Sequence, residues 1–280
     1  MEDGDFDNAL NVFSPDGKLL QLDHAQKSSE QSKALIFVNN GKSIVIFTEK
    51  KNNQAMVNEQ IIQTVNDSIK NNENIPLVIN LNEPIEKYRS QIDELFTFND
   101  SKKINRSPNA TDHSIPLEIK ESYPIFMCTA GLRPDALYIL KEARFICKNW
   151  SYTNLKEITT SILSKELANY LHDYTISDRF RPFGTKILMF GLEKDILSKE
   201  VKMRSFIISC DGNFNELLAG SIGNKEEEIT TFLEQNYNYS MNDQEMVTIC
   251  YETIKNTVQN DTEKLQGFII NNTVEEIPLT

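Results

Sequence analysis

FDNALNVFSPDGKLLQLDHA, residues 6–25, is the stretch from which the rest of the chain can be read. Ser14-Pro15-Asp16-Gly17 has the chemistry of a type I turn. Proline presets φ at the second position, the Ser14 side chain can bond back to the backbone, and Gly17 closes the turn. Beyond it Leu19, Leu22 and Ala25 recur at helical spacing, which predicts a short amphipathic helix leaving the turn.

Downstream, residues 33–38 (KALIFV) and 43–48 (SIVIFT) are apolar, β-branched runs around Asn39-Asn40-Gly41-Lys42. That is a hairpin signature, with Asn-Gly in the turn. The runs are almost continuously apolar rather than alternating, which predicts a sheet covered on both faces. From Asn52 to about His113 the segment becomes dense in asparagine. Helical apolar spacing persists at Val57, Ile61, Val65 and Ile69, and again at Ile85, Tyr88, Ile92 and Phe96. We read 52–113 as an insertion with two short helices, because its apolar content is too thin for an independent core.

Order resumes at Ser114. Residues 119–129 (IKESYPIFMCT) read as strand material that Ala130-Gly131 ends. Leu132-Arg133-Pro134-Asp135 then opens a helix, with Pro and an acid in its first turn. Its apolar face is Ala136, Ile139, Ala143, Ile146 and Trp150, and a second helix follows with Leu155, Ile158, Ile162, Leu163, Leu167, Tyr170 and Tyr174. Arg181-Pro182-Phe183-Gly184 is a turn into a strand at 187–191. Another strand at 206–210, a turn at Asp211-Gly212-Asn213 and a returning strand from Phe214 through Ala219 come next. Glu226-Glu227-Glu228 starts a helix with Ile229, Phe232 and Leu233 inside. Ser240-Met241-Asn242-Asp243 has the form of a capping box before a helix bearing Met246, Ile249, Cys250 and Ile254. Residues 268–270 make a last strand. Helices in pairs between hairpins predict an α+β fold: a four-layer αββα sandwich of two antiparallel sheets between helical layers, with an N-terminal helix.

Composition narrows the function. A chain of 280 residues can bury a sizeable core, and a net charge of −12 argues against a nucleic-acid binder. No apolar run is long enough for a membrane span, and the acidic N-terminus is unlike a signal peptide. Cys128, Cys147, Cys210 and Cys250 are widely spaced within apolar segments, so buried free thiols are expected, with no zinc or other metal site and no cofactor.

Short words along the chain carry a resemblance: Phe13-Ser14-Pro15-Asp16-Gly17, Thr48-Glu49-Lys50-Lys51, Thr129-Ala130-Gly131-Leu132 with Asp135-Ala136, Arg181-Pro182-Phe183-Gly184, Asp211-Gly212, Ser221-Ile222-Gly223 and Phe232-Leu233-Glu234-Gln235-Asn236-Tyr237. In this order they resemble the α-type subunits of the proteasome 20S core, most closely the fourth α position of the ring. The resemblance implies the N-terminal nucleophile hydrolase fold as a single domain over 1–280, with a gate tail and helix at 1–31. It also implies two neighbouring α subunits, β-ring subunits and regulatory caps as partners, and a cytoplasmic and nuclear location.

In that fold the nucleophile is a Thr made N-terminal by self-cleavage, whose free amine serves as base. The equivalent place here is near Ser32 or Lys33, behind an uncleaved arm and without a Gly-Thr pair, so catalysis is not expected. His24 falls where the family carries Tyr and is given a packing role; no motif sets a Ser beside His24, His113 or His172. The resemblance instead implies a gate at Phe6, Asp7 and Asn8, held by the Pro15 and Gly17 turn. Phe6 lacks the family's tyrosine hydroxyl, and Asn8 replaces an Arg. The activator-docking pocket falls at Ser32, Lys33 and Leu117, with Leu117 where the family has a Lys. A second alignment through Pro84-Ile85-Glu86-Lys87 would restore that Lys. The alternatives are an active, self-cleaving N-terminal nucleophile hydrolase and a free-standing acidic adaptor of the same fold.

Overall fold

The structure, a computed structural model, describes residues 10, 12–49, 79–80, 123–195, 199–258, 265–271 and 274–277. The N-terminal helix is α1 (Leu20–Glu30), followed by β1 (Leu35–Asn39) and β2 (Ile44–Glu49). A two-residue strand β3 (Ile79–Asn80) precedes β4 (Ile125–Gly131), α2 (Arg133–Asn154) and α3 (Thr160–Thr175). Then come β5 (Thr185–Lys194), β6 (Val201–Ile208), β7 (Phe214–Glu216), β8 (Ala219–Ile222), α4 (Glu226–Asn236), α5 (Asp243–Val258), β9 (Leu265–Ile270) and β10 (Val274–Ile277). Two five-stranded antiparallel sheets result, in the orders β10-β9-β2-β1-β8 and β3-β4-β5-β6-β7.

The continuous apolarity of β1 and β2 is explained by where the alternate side chains go. Leu35, Phe37, Ile44 and Ile46 point between the sheets, onto Phe126, Cys128, Leu188 and Phe190. Ile36, Val38, Val45 and Phe47 point the other way, onto Ile229, Leu233, Met246, Cys250 and Ile254 of α4 and α5. On the far side Ile125, Met127, Ile187 and Met189 meet Ile139, Ala143, Leu163 and Leu167 of α2 and α3. Three apolar cores separate four layers, so the expected αββα sandwich is the observed one. All four cysteines are buried and unbridged, and burial pushes every one of their thiols up, that of Cys147 to about 12.

The first hairpin is pinned across the sandwich by asparagine. Asn39 is fully buried; its Nδ2 donates to the Met203 carbonyl (3.0 Å) and Ser205 Oγ (2.9 Å) of β6, while its Oδ1 accepts the Gly41 N–H (2.7 Å). Asn39→Ala strands these partners in a dry site and should cost about 2–3 kcal/mol. The check is the urea midpoint of the purified chain, and an unchanged midpoint would show that the two sheets do not depend on this link.

Several expectations need correction, each for a tertiary reason. The strand expected from Phe214 through Ala219 is two strands in different sheets. The Leu217 N–H still bonds the Ser205 carbonyl of β6, while the Leu218 carbonyl already takes the Asn39 N–H of β1. The second long helix begins at Thr160 rather than near Leu155. Leu155 turns left-handed at φ 52° and ends α2, and Glu193 of β5 accepts the Ser161 N–H (3.1 Å) and Oγ (2.7 Å) at the start of α3. The capping box is Asn242 with Glu245, each side chain bonding the other's N–H at 3.0 Å, not Ser240 with Asp243. Ala130 and Gly131 extend β4 rather than ending it before them, and residues 119–122 lie outside the described residues. β10 was not expected at all. Of residues 52–113, the structure describes Ile79 and Asn80, which pair with Met127 and Phe126 at the edge of β4; the two helices expected there lie outside the described residues.

Candidate functional site

The described residues assigned from sequence lie on the N-terminal turn, on α1 and at the approach to β1. The turn is closed by the Gly17 N–H to the Ser14 carbonyl (2.8 Å), and Ser14 Oγ accepts the Lys18 N–H (3.2 Å). Gly17 has φ +76°, and Pro15, Asp16, Gly17 and Phe13 are all exposed. α1 then lies against β4 and β5 through Ala25 and Ser29, its buried residues. Its last turn hands over to β1: the Ser32 N–H (3.2 Å) and Oγ (2.6 Å) both donate to the Ser29 carbonyl.

Ser32 and Lys33 are clamped from the other side. The Ser32 carbonyl accepts the Asn224 N–H (3.1 Å), and a Cβ on Gly223, at φ +98°, would stand 2.3 Å from the Lys33 carbonyl oxygen. Only glycine allows that approach. Ser32 is half-buried and Lys33 exposed. The helix between the two groups, 11 residues at 1.5 Å per residue, is about 16 Å long. The structure therefore sets these as two places at opposite ends of α1 rather than one cluster. Phe6, Asp7, Asn8 and Leu117 lie outside the described residues.

Of the histidines, His24 is exposed on α1. His172 is also exposed, its Nδ1 3.3 Å from the Asp211 carbonyl, and His113 lies outside the described residues. Among the described residues no group of His, Cys, Asp and Glu could hold a metal ion, and no helix is long and apolar enough to cross a membrane.

Beside α1, an ion pair unseen in the sequence joins two of the motif words. Asp135 accepts two hydrogen bonds from Arg181 (2.7 and 2.8 Å) and one from the Gly184 N–H (2.9 Å). Burial alone would raise the Asp135 carboxyl; Arg181 and the Gly184 N–H outweigh it and hold the group below the usual carboxylate range. The spacing of 46 residues hides the pair, although both residues fall within words that carry the resemblance.

All but one of these words, the one at 48–51, lie within the segments that family models of known proteins match. A model of the family described as "Proteasome subunit" matches residues 117–271, and a model of the N-terminal signature of A-type proteasome subunits matches residues 6–27. The first match alone takes in more than half of the chain. The chain belongs to the proteasome subunit family, as an α-type subunit of the 20S core. Among its relatives is the mouse proteasome alpha type-8 subunit, 22% identical over 267 residues, which are 95% of this chain and 84% of the mouse protein. The Caenorhabditis elegans alpha type-7 subunit is 24% identical over 232 residues (83% of this chain, 69% of the relative), and the tomato alpha type-7 subunit 22% over 261 residues (93% and 78%). Neither family match takes in residues 28–116, which include the asparagine-rich segment.

Proposed function

We propose that this α-type subunit is non-catalytic and structural. It packs between two neighbouring α subunits, rests on a β ring, and contributes to the gate of the pore and to the docking of regulatory caps in the cytoplasm and nucleus. The observation that supports the non-catalytic part best is the position of α1. It precedes β1, and Ser32, three residues before that strand, has a peptide N–H bonded to the Ser29 carbonyl, where an N-terminal nucleophile needs a free amine. Intact mass of the chain taken from purified particles tests this. The expected mass includes the residues before Ser32; a chain trimmed to Ser32 or Lys33 would make it a self-cleaving hydrolase instead.

The gate is assigned to Phe6, Asp7 and Asn8, held out by the Pro15–Gly17 turn, and cap docking to the pocket beside Ser32 and Lys33, with Leu117 in place of the usual Lys. A tyrosine hydroxyl in a tail-to-tail hydrogen bond contributes about 1 kcal/mol. Phe6→Tyr should therefore tighten closure and lower the particle's basal hydrolysis of small peptides several-fold. Unchanged basal hydrolysis would show that this tail does not limit the gate.

A further inference from the structure

Tyr138 of α2 and Tyr170 and Tyr174, one turn apart on α3, lean their rings on Phe183, with ring centroids 5.8, 6.2 and 4.4 Å away. Their hydroxyls converge: Tyr170 to Tyr174 is 3.0 Å, Tyr170 to Tyr138 is 3.4 Å and Tyr138 to Tyr174 is 3.5 Å. We infer that these three phenol oxygens form a receptor for the ammonium group of a lysine carried by a neighbouring subunit. The inference rests on the ring reading above and names one contact within it.

Proton counting sets the sign of the ligand. Three phenols bring three O–H donors and six lone pairs. With each hydroxyl donating to the next around the triangle, all three protons and three lone pairs are used, and three lone pairs are left facing outward. In that closed arrangement the cluster accepts. Two of its edges are also long for O–H···O bonds, whose usual separation is about 2.7–2.8 Å. A nitrogen seated above the triangle can therefore lie about 2.9 Å from all three oxygens. An ammonium has three protons in a three-fold arrangement that matches this seat, whereas a guanidinium presents its donors in a flat fork.

Charge agrees with that choice. The negative charge of Glu142 bears on all three phenols, and the positive charge of Lys141 on Tyr138. Arg181, two residues before Phe183, is held by Asp135. The surroundings favour a protein-borne amine over a free one. Phe180 packs on Tyr174 at 5.5 Å yet is exposed, as are Leu137, next to Tyr138, and Ile176, two residues beyond Tyr174. A lysine on a folded partner brings surface to cover them; mutual satisfaction of three hydroxyls explains the triangle but not this apolar margin.

The test compares particles purified through the wild-type chain and through the triple variant Tyr138→Phe, Tyr170→Phe, Tyr174→Phe, which keeps the rings on Phe183. Both are treated with an amine-acylating reagent, and lysine modification is mapped by mass spectrometry. One lysine of a neighbouring subunit should be protected in the wild-type particle and acylated at least tenfold faster in the variant. Identical lysine reactivities in the two particles would overturn the receptor while leaving the ring reading intact. A wild-type chain that purifies without neighbours would overturn the ring reading and the receptor with it. If the triple variant does not fold, Tyr138→Phe alone removes two sides of the triangle and is read the same way.

Discussion

Ile139→Asp should leave no folded chain, whereas Phe145→Asp and Tyr152→Asp should leave the fold intact and block entry into the particle. All three lie on α2, and the apolar stripe of that helix read from sequence, Ala136, Ile139, Ala143 and Ile146, invites an assignment as the surface that meets the opposing ring. The structure reverses this. Ile139 is 0% exposed and packs inside the chain with Ile125, Met127 and Leu163. A carboxylate there forfeits about 2–4 kcal/mol of packing and adds several more for a buried charge, against a typical total stability of about 5–15 kcal/mol. Phe145, Tyr152 and Leu155 are 63%, 86% and 77% exposed, an apolar outer margin that a lone chain has no use for. Circular dichroism separates the two classes, and co-purification of neighbouring subunits reads the second. A folded Ile139→Asp chain, or normal assembly of Phe145→Asp, would contradict this division of the helix.

The next largest effect is expected at Asp135. Replacing it by Ala leaves the Gly184 N–H without its acceptor in a buried place and removes both bonds from Arg181. Arg181 is half exposed, so water and salt recover part of its loss, and about 2–3 kcal/mol is expected at neutral pH. The sign with pH follows from the carboxyl being held below its ordinary value. Its contribution is fully present above the unfolded-state value of about 3.9 and disappears as pH falls through the lower folded-state value. The gap in denaturation midpoint between wild type and Asp135→Ala should therefore be wide at neutral pH and close in acid. A gap of constant width would mean that the ion pair does not carry the difference.

Local chemistry was enough to read the four layers. The Asn-Gly hairpin, the continuous apolarity of β1 and β2, and the proline in the first turn of α2 each act within a few residues, and each stands where expected. What escaped was decided across the fold. The change of sheet between Leu217 and Leu218 depends on which strand offers the next partner, and α3 begins where Glu193, 32 residues downstream, reaches its first turn. Ser240 with Asp243 has the letters of a capping box, but Asn242 with Glu245 fits the helix that forms. At the candidate site, the turn was legible as a word, while Asp135 with Arg181 and the converging tyrosines were not. No spacing in the chain announces that helix starts, strand ends and ring edges will meet.

Membership in the ring is the claim on which the rest depends, and native size-exclusion chromatography of extract, followed by identification of what elutes with this chain, tests it most directly. The chain should elute with a particle many times its own mass, together with other proteasome α and β subunits. Elution as a free monomer, with no proteasome subunit beside it, would contradict the account.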